Sequence, residues 1–310
     1  MYYYQVYGLV AQSNIEFPQL LPVEPFPEEN TEIEIYVENS DALSRSFEEI
    51  KASGKYFDLT ENGIWFDNSA GHFEIETQNG KTVMKCVKCS DIKYQEAQSY
   101  LLGNSLAIAM TQRKKIAIHG STLAVGNKAI IICGGSGSGK STTAMGVIDR
   151  GAKLLADDIS VIDIDKVTGK TLAYPGFPEQ KLCRDAALEK GLNLDTLRYI
   201  DEEKDKFALD RNSIFVKEGM EVSDIYMIAP YMGETLEIED ITGEDSLKAI
   251  IDNLFLKELY EGLFRLEPSD VFKCVKLASE AKIHKIFRPL EKNTKDEIVD
   301  YIIISVTREE

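Results

Sequence analysis

The stretch Gly134-Gly135-Ser136-Gly137-Ser138-Gly139-Lys140-Ser141 constrains this chain more than any other. It fits the phosphate-binding pattern G-x-x-x-x-G-K-[ST], with Gly134, Gly139, Lys140 and Ser141 at the fixed positions. An apolar run, residues 129–133, precedes it, and a helix-compatible run, residues 141–150, follows. This is the strand–loop–helix setting that the motif requires. Its four glycines let successive N–H groups turn toward phosphate oxygens. The helix N-terminus adds partial positive charge. The expected cradle is Gly134, Gly135, Ser136, Gly137, Ser138, Gly139, Lys140, Ser141 and Thr142. In it, Lys140 reaches the β- and γ-phosphates and Ser141 holds Mg²⁺. The competing reading is a glycine-rich turn with no ligand, and the flanking runs argue against it.

The second signal is Asp157-Asp158, after the apolar Leu154-Leu155-Ala156. A crossover through the helix, ending near Gly151, returns the chain parallel to the first strand. Both strands then end on one sheet edge, where open α/β folds bind ligands. One carboxylate can bind Mg²⁺ and the other can take a proton from an attacking hydroxyl. Adjacent side chains alternate faces on an ideal strand, so both reach the site only if the strand ends or bulges there.

Residues 1–91 read as a β-rich domain and 92–310 as the catalytic domain. Residues 31–37 alternate as a strand, and Asn79-Gly80 between alternating runs signals a hairpin. Residues 92–112 change to a helical period, loosened near Gly103. Residues 122–125 and 129–133 read as strands joined by Gly126-Asn127, and residues 283–287 as another strand. Tyr174 to Pro178 is a rigid turn that can lead the chain back to the site, and Lys181 beyond it is a candidate partner for a carboxylate, such as an acceptor's, or for a phosphate. Thr294 and Glu297 fit a capping box.

The formal net charge of −17 argues against nucleic acid as a partner and favours solubility, with a basic polypeptide as the other reading. There is no uninterrupted apolar stretch of membrane-spanning length, and the N-terminal residues read as a strand rather than a signal peptide. A cytoplasmic protein with no membrane partner is expected. Five cysteines suggest free thiols, and Cys86 and Cys89 read as strand residues because no second ligand pair accompanies them.

Residues 116–163 resemble the catalytic core of the HPr kinase/phosphorylase family. The matching elements are ordered: His119-Gly120, a hairpin, the loop, its helix, then Leu154-Leu155-Ala156-Asp157-Asp158. The resemblance implies an α/β P-loop kinase fold, related to that of the ATP-type phosphoenolpyruvate carboxykinases, that transfers phosphate from ATP to a serine hydroxyl with Mg²⁺. It implies phosphate binding by the loop, metal binding by Ser141 and Asp158, and Asp157 as general base, with the two aspartates interchangeable on sequence alone. It places His119 near the transferred phosphate or substrate; a hydrogen-bonded structural histidine is the other reading. The glycine-rich signature that follows the acidic pair in HPr kinases is not recognisable, and residues 174–186 and 201–209 take its place. Those segments resemble a divergent branch that includes kinases of lasso peptide precursors, which implies a serine on a peptide or protein as acceptor. A small-metabolite kinase and a non-catalytic nucleotide-binding protein are the alternatives, and homo-oligomerisation stays open.

Overall fold

The computed structural model describes residues 1–38, 57–59, 63–89, 94–201, 205–255, 257 and 266–307. Residues 92–93 of the expected helix and 202–204 of the segment after the acidic pair lie outside them.

The architecture is mixed α/β. Tyr2–Val6, Leu9–Ser13, Ile33–Val37, Gly63–Asn68, Gly71–Gln78 and Lys81–Lys88 belong to one eight-stranded sheet. Asn79 and Gly80 carry φ of 52° and 79°, the left-handed pair that a two-residue hairpin needs, between the antiparallel strands Gly71–Gln78 and Lys81–Lys88. Cys86 is buried in the latter strand. The inner face of this sheet rests on a continuous helical segment formed by Tyr94–Tyr100, Leu101–Ser105 and Leu106–Gln112. Its middle part is a π-helical turn, which is where the sequence pattern loosens around Gly103.

A second eight-stranded sheet carries the phosphate-loop motif. Lys128–Gly134 runs antiparallel to Ile116–Val125 and parallel to Met220–Tyr231, which in turn runs parallel to Lys282–Pro289. The run 129–133 is buried on both faces, and its alternate residues enter different cores. Ile130 and Ile132 pack with Ala144, Val147, Ile298 and Ile302 of the helices Lys140–Asp149 and Lys295–Thr307. Ile131 and Cys133 pack instead with Ile250, Cys274 and Leu277 of the helices Glu244–Asp252 and Pro268–Glu280. A central sheet with helices on both faces is the layered solution for such strands.

Three local expectations change. Residues 116–125 form one unbroken strand rather than two short pieces. That strand stands between Lys128–Gly134 and Lys153–Ala156, antiparallel to each, so the two motif-bearing strands are parallel in direction but not neighbours. Thr294 does precede the last helix, but its buried hydroxyl makes no hydrogen bond, so the capping box is not formed.

The two sheets are not independent. One apolar cluster runs from Tyr4, Val6 and Ile35 through Leu101 and Leu106 to Ala156, Ile159 and Phe177. Tyr7, fully buried and left-handed at φ 50°, donates its hydroxyl to the Ile159 carbonyl at 3.0 Å, while its amide donates to Pro175 O at 2.8 Å. The N-terminal sheet is thereby fastened to the strand that follows the aspartate pair.

Candidate active site

The loop-entry strand ends at Gly134, whose φ of 143° and close approach to the neighbouring strand require glycine: a Cβ there would lie 2.3 Å from Ile228 O. The chain then loops through Gly135 to Gly139 and enters the helix Lys140–Asp149. The Lys140 ammonium folds back onto Gly134 O at 2.8 Å and Gly135 O at 2.9 Å. Burial holds its pKa below the ordinary lysine value, against the pull of Asp158. Ser138 is buried, and its hydroxyl has no hydrogen-bond partner. The motif thus offers a positive charge bound only to the loop's own carbonyls and an unsatisfied hydroxyl.

Lys153–Ala156 ends just before the acidic pair, after a register shift between Leu154 and Ala156. Asp158 takes the left-handed φ of 71°. The ended strand and this turn bring both carboxylates into one cleft, as the alternation argument requires. Asp157 is buried; its Oδ1 accepts from Ser121 Oγ at 2.5 Å and its Oδ2 from the Lys181 amide at 2.7 Å. Burial pushes the Asp157 carboxyl up, and these two hydrogen bonds only partly oppose it. For Asp158 burial also acts upward, but the Lys181 ammonium at 2.8 Å, with His119 and Lys206, holds it well below the usual carboxylate range. Lys181 is pushed down by burial and more than restored by Asp158, so its pKa is raised.

The cleft has a volume of about 650 Å³. Its floor is Asp157 and Asp158, and one wall is the loop from Ser136 to Thr142. Gly134 and Gly135 stand behind that wall and do not line it. The strand Glu179–Cys183, part of a three-stranded sheet with Arg198–Asp201 and Lys206–Asp210, supplies Lys181 and Lys206 sits beside it. The helical segment of the N-terminal half also lines the cleft, through Glu96, Ser99, Gly103 and Asn104. The exposed His119 ring lies 3.6 Å from Asp158 Oδ1 and packs on Phe255.

Residues 110–180 match the family model described as the HPr Serine kinase C-terminal domain. That stretch, which holds the loop and both aspartates, is similar to the core of an HPr serine kinase. The HPr kinase/phosphorylase of Treponema pallidum subsp. pallidum is 46% identical over 61 residues, which are 20% of this chain and 18% of the relative. The same enzyme from Treponema pallidum strain Nichols gives the same figures. The chain therefore matches less than a fifth of the length of these curated relatives. The solved Hpr(Ser) kinase/phosphatase from Coxiella burnetii aligns over 62% of this chain and 95% of its own, at 15% identity and a TM-score of 0.30.

The turn at Tyr174–Pro178 does return the chain to the site: Gly176 N donates to Leu155 O at 2.8 Å, and the next strand delivers the Lys181 amide to Asp157. The Lys181 ammonium, expected to receive an acceptor's carboxylate, is instead bound to Asp158. Arg184 is turned outward onto Asp205, and Arg211 holds Gln180. Sequence reasoning missed Ser121, the helical wall and Arg288. The expected strand 283–287 stops one residue short of Arg288, and no motif marks that residue. The Arg288 guanidinium grips the loop, Nε to Ser138 O at 2.7 Å and Nη2 to Gly137 O at 3.1 Å.

A nucleoside triphosphate fits the donor set: Lys140 and the loop from Ser136 to Thr142 line a cleft of suitable size. Among the described residues no cluster of three or more His, Cys, Asp or Glu could hold a metal alone. Ser141 and Asp158 both line the cleft, and a hydroxyl and a carboxylate are oxygen donors of the kind that Mg²⁺ takes. No helix among the described residues is long and apolar enough to cross a membrane.

Proposed function

We propose that this chain is an ATP-dependent kinase that phosphorylates a hydroxyl group, most specifically a serine of a peptide or protein. The observation that carries the reading is the convergence of the loop and both aspartates in one cleft. The match to the HPr serine kinase C-terminal domain supports it.

In this reading the loop amides and Lys140 bind the triphosphate. Ser141 and Asp158 would hold a Mg²⁺ ion, which would supply neutralisation of the phosphate charge. Asp158, kept ionised, suits a cation ligand. Asp157, with its raised pKa, suits a general base. Each Asp157 oxygen accepts one hydrogen bond here and has a second lone pair free for the acceptor's proton. The acceptor oxygen forms a bond to the γ-phosphorus, the bond from that phosphorus to the ADP oxygen breaks, and the hydroxyl proton passes to Asp157. Ser121 and the Lys181 amide hold the carboxylate in place for that transfer. His119 lies beside Asp158 at the cleft mouth, where it can contact the phosphate or the acceptor.

The helical wall places the acceptor. It lines the same cleft as the phosphate loop with Glu96, Ser99 and Asn104, groups that hydrogen-bond a polar chain. The N-terminal sheet packs on this helical segment, which makes the sheet an acceptor-recognition part in this proposal. The test is ATP consumption with serine peptides, including peptides ending in serine, followed by mass measurement of a phosphate adduct. Phosphorylation by the native chain and its loss in Asp157→Asn support the reading. ATP binding with no transfer to peptides, proteins or free serine would leave a non-catalytic nucleotide-binding protein.

A further inference from the structure

Arg288 lies 150 residues beyond Ser138 in the chain, outside the matched region, yet it holds the loop at two successive carbonyls. A peptide unit is planar and trans, so its C=O and the following N–H point in opposite directions. Fixing Gly137 O fixes the amide of Ser138, and fixing Ser138 O fixes the amide of Gly139. The Ser138 amide is further held by Gly135 O at 3.2 Å, and Gly139 O already accepts from Thr143 N at 2.9 Å as the helix begins. The planes from Gly137 to Lys140 are thus set before any ligand arrives.

Lys140 does the same for the other half of the loop, through Gly134 O and Gly135 O. The two cations differ in one respect. Lys140 must leave those carbonyls to meet phosphate, whereas the Arg288 bonds need not break. Gly139, at φ 99°, lies against the guanidinium: a Cβ there would stand 3.4 Å from Arg288 Nε. The arginine is packed on the loop as well as bonded to it.

We infer that Arg288 is a positioning residue that holds the Gly139 amide in its phosphate-binding orientation, and keeps the Ser138 peptide plane locked on Gly135 O, while Lys140 changes partners. The inference rests on the proposed nucleotide-binding role of the loop. It requires a planar fork that spans two carbonyls, which arginine has and lysine lacks.

The test uses the full chain with Arg288→Ala and Arg288→Lys. Affinities for ATP and for inorganic tripolyphosphate are measured by calorimetry, beside the thermal midpoint without ligand. Expected is a rise in Kd of about tenfold or more in both variants and for both ligands, the scale of one or two charge-assisted hydrogen bonds. Arg288→Lys keeps the charge and serves as the folded comparison should Arg288→Ala lose its thermal transition. Native affinity in Arg288→Lys overturns the inference, because positive charge alone would then suffice. Weakened ATP binding with unchanged tripolyphosphate binding also overturns it, since the effect would lie on the nucleoside. A native chain that binds neither ligand refutes the phosphate-loop reading itself, and the role of Arg288 falls with it.

Discussion

Replacing Lys181 by Met tests the electrostatics of the cleft floor directly. Its ammonium stands 2.8 Å from Asp158 Oδ2, with 15% and 22% of the two side chains exposed. At that separation the attraction is about 6 kcal/mol in an effective dielectric of about 20, and desolvation of both charges offsets much of it. Lys181→Met leaves Asp158 charged, largely buried and short of its main partner. The expected loss of stability is about 3 kcal/mol, the lower end for stripping one partner from a buried pair, because the site is partly wet. Asp158→Asn/Lys181→Met removes the stranded charge and recovers about 2 kcal/mol of that loss, a coupling of the size seen between contacting residues. The Asp158 carboxyl is depressed, so its contribution is present above about pH 3.9, the unfolded value, and fades as pH falls through the lower folded value. The Lys181 pKa is raised, so its contribution is present below about 10.4 and is lost as pH rises through the folded value. The coupling is therefore flat from about pH 5 to pH 9. Urea unfolding of the four proteins, without ligand, gives the cycle. Strictly additive losses would refute the argument and return Lys181 to the role of a free acceptor-binding cation.

Asp157→Asn retains ATP binding but loses transfer by about 10²-fold or more, the usual worth of a positioned base, whereas Asp158→Asn raises the Mg²⁺ concentration needed for half-maximal activity; titrations and single-turnover assays separate the two. Lys140→Ala weakens ATP binding and abolishes transfer, which calorimetry and phosphate release measure; unchanged transfer would remove the loop from the mechanism. Tyr7→Phe strips the Ile159 carbonyl of a buried partner and costs about 1–2 kcal/mol in urea unfolding. An unchanged midpoint there would show that the phenol does not fasten the sheets.

The placing of the loop and both aspartates in one cleft was legible because its signals are local. The loop, its strand and its helix are contiguous, and the Asp157-Asp158 pair follows within one crossover. The hairpin at Asn79-Gly80 was legible for the same reason: two residues decide it. What stayed hidden comes from residues far apart in the chain. Arg288 meets the loop across 150 residues and Tyr7 meets Ile159 across 152, and neither carries a local pattern. Lys181 was picked out, but its partner was not, because only the returning strand shows that its amide serves Asp157 and its ammonium Asp158. Thr294 shows the reverse case, a good local pattern that the packed structure does not use.

The Tyr7 clasp also sets an order on biosynthesis. The N-terminal strands can pair as soon as Lys81–Lys88 has left the ribosome, but the phenol's acceptor lies 152 residues downstream. Ile159 follows Lys88 by 71 residues, so at ordinary translation speeds of about 5–20 residues per second the paired strands wait roughly 4–14 s for it. During this wait Tyr7 and the underside of the helix have no second sheet to close on. A nascent chain paused between these points presents that apolar surface, and this interval is when a chaperone would be needed most.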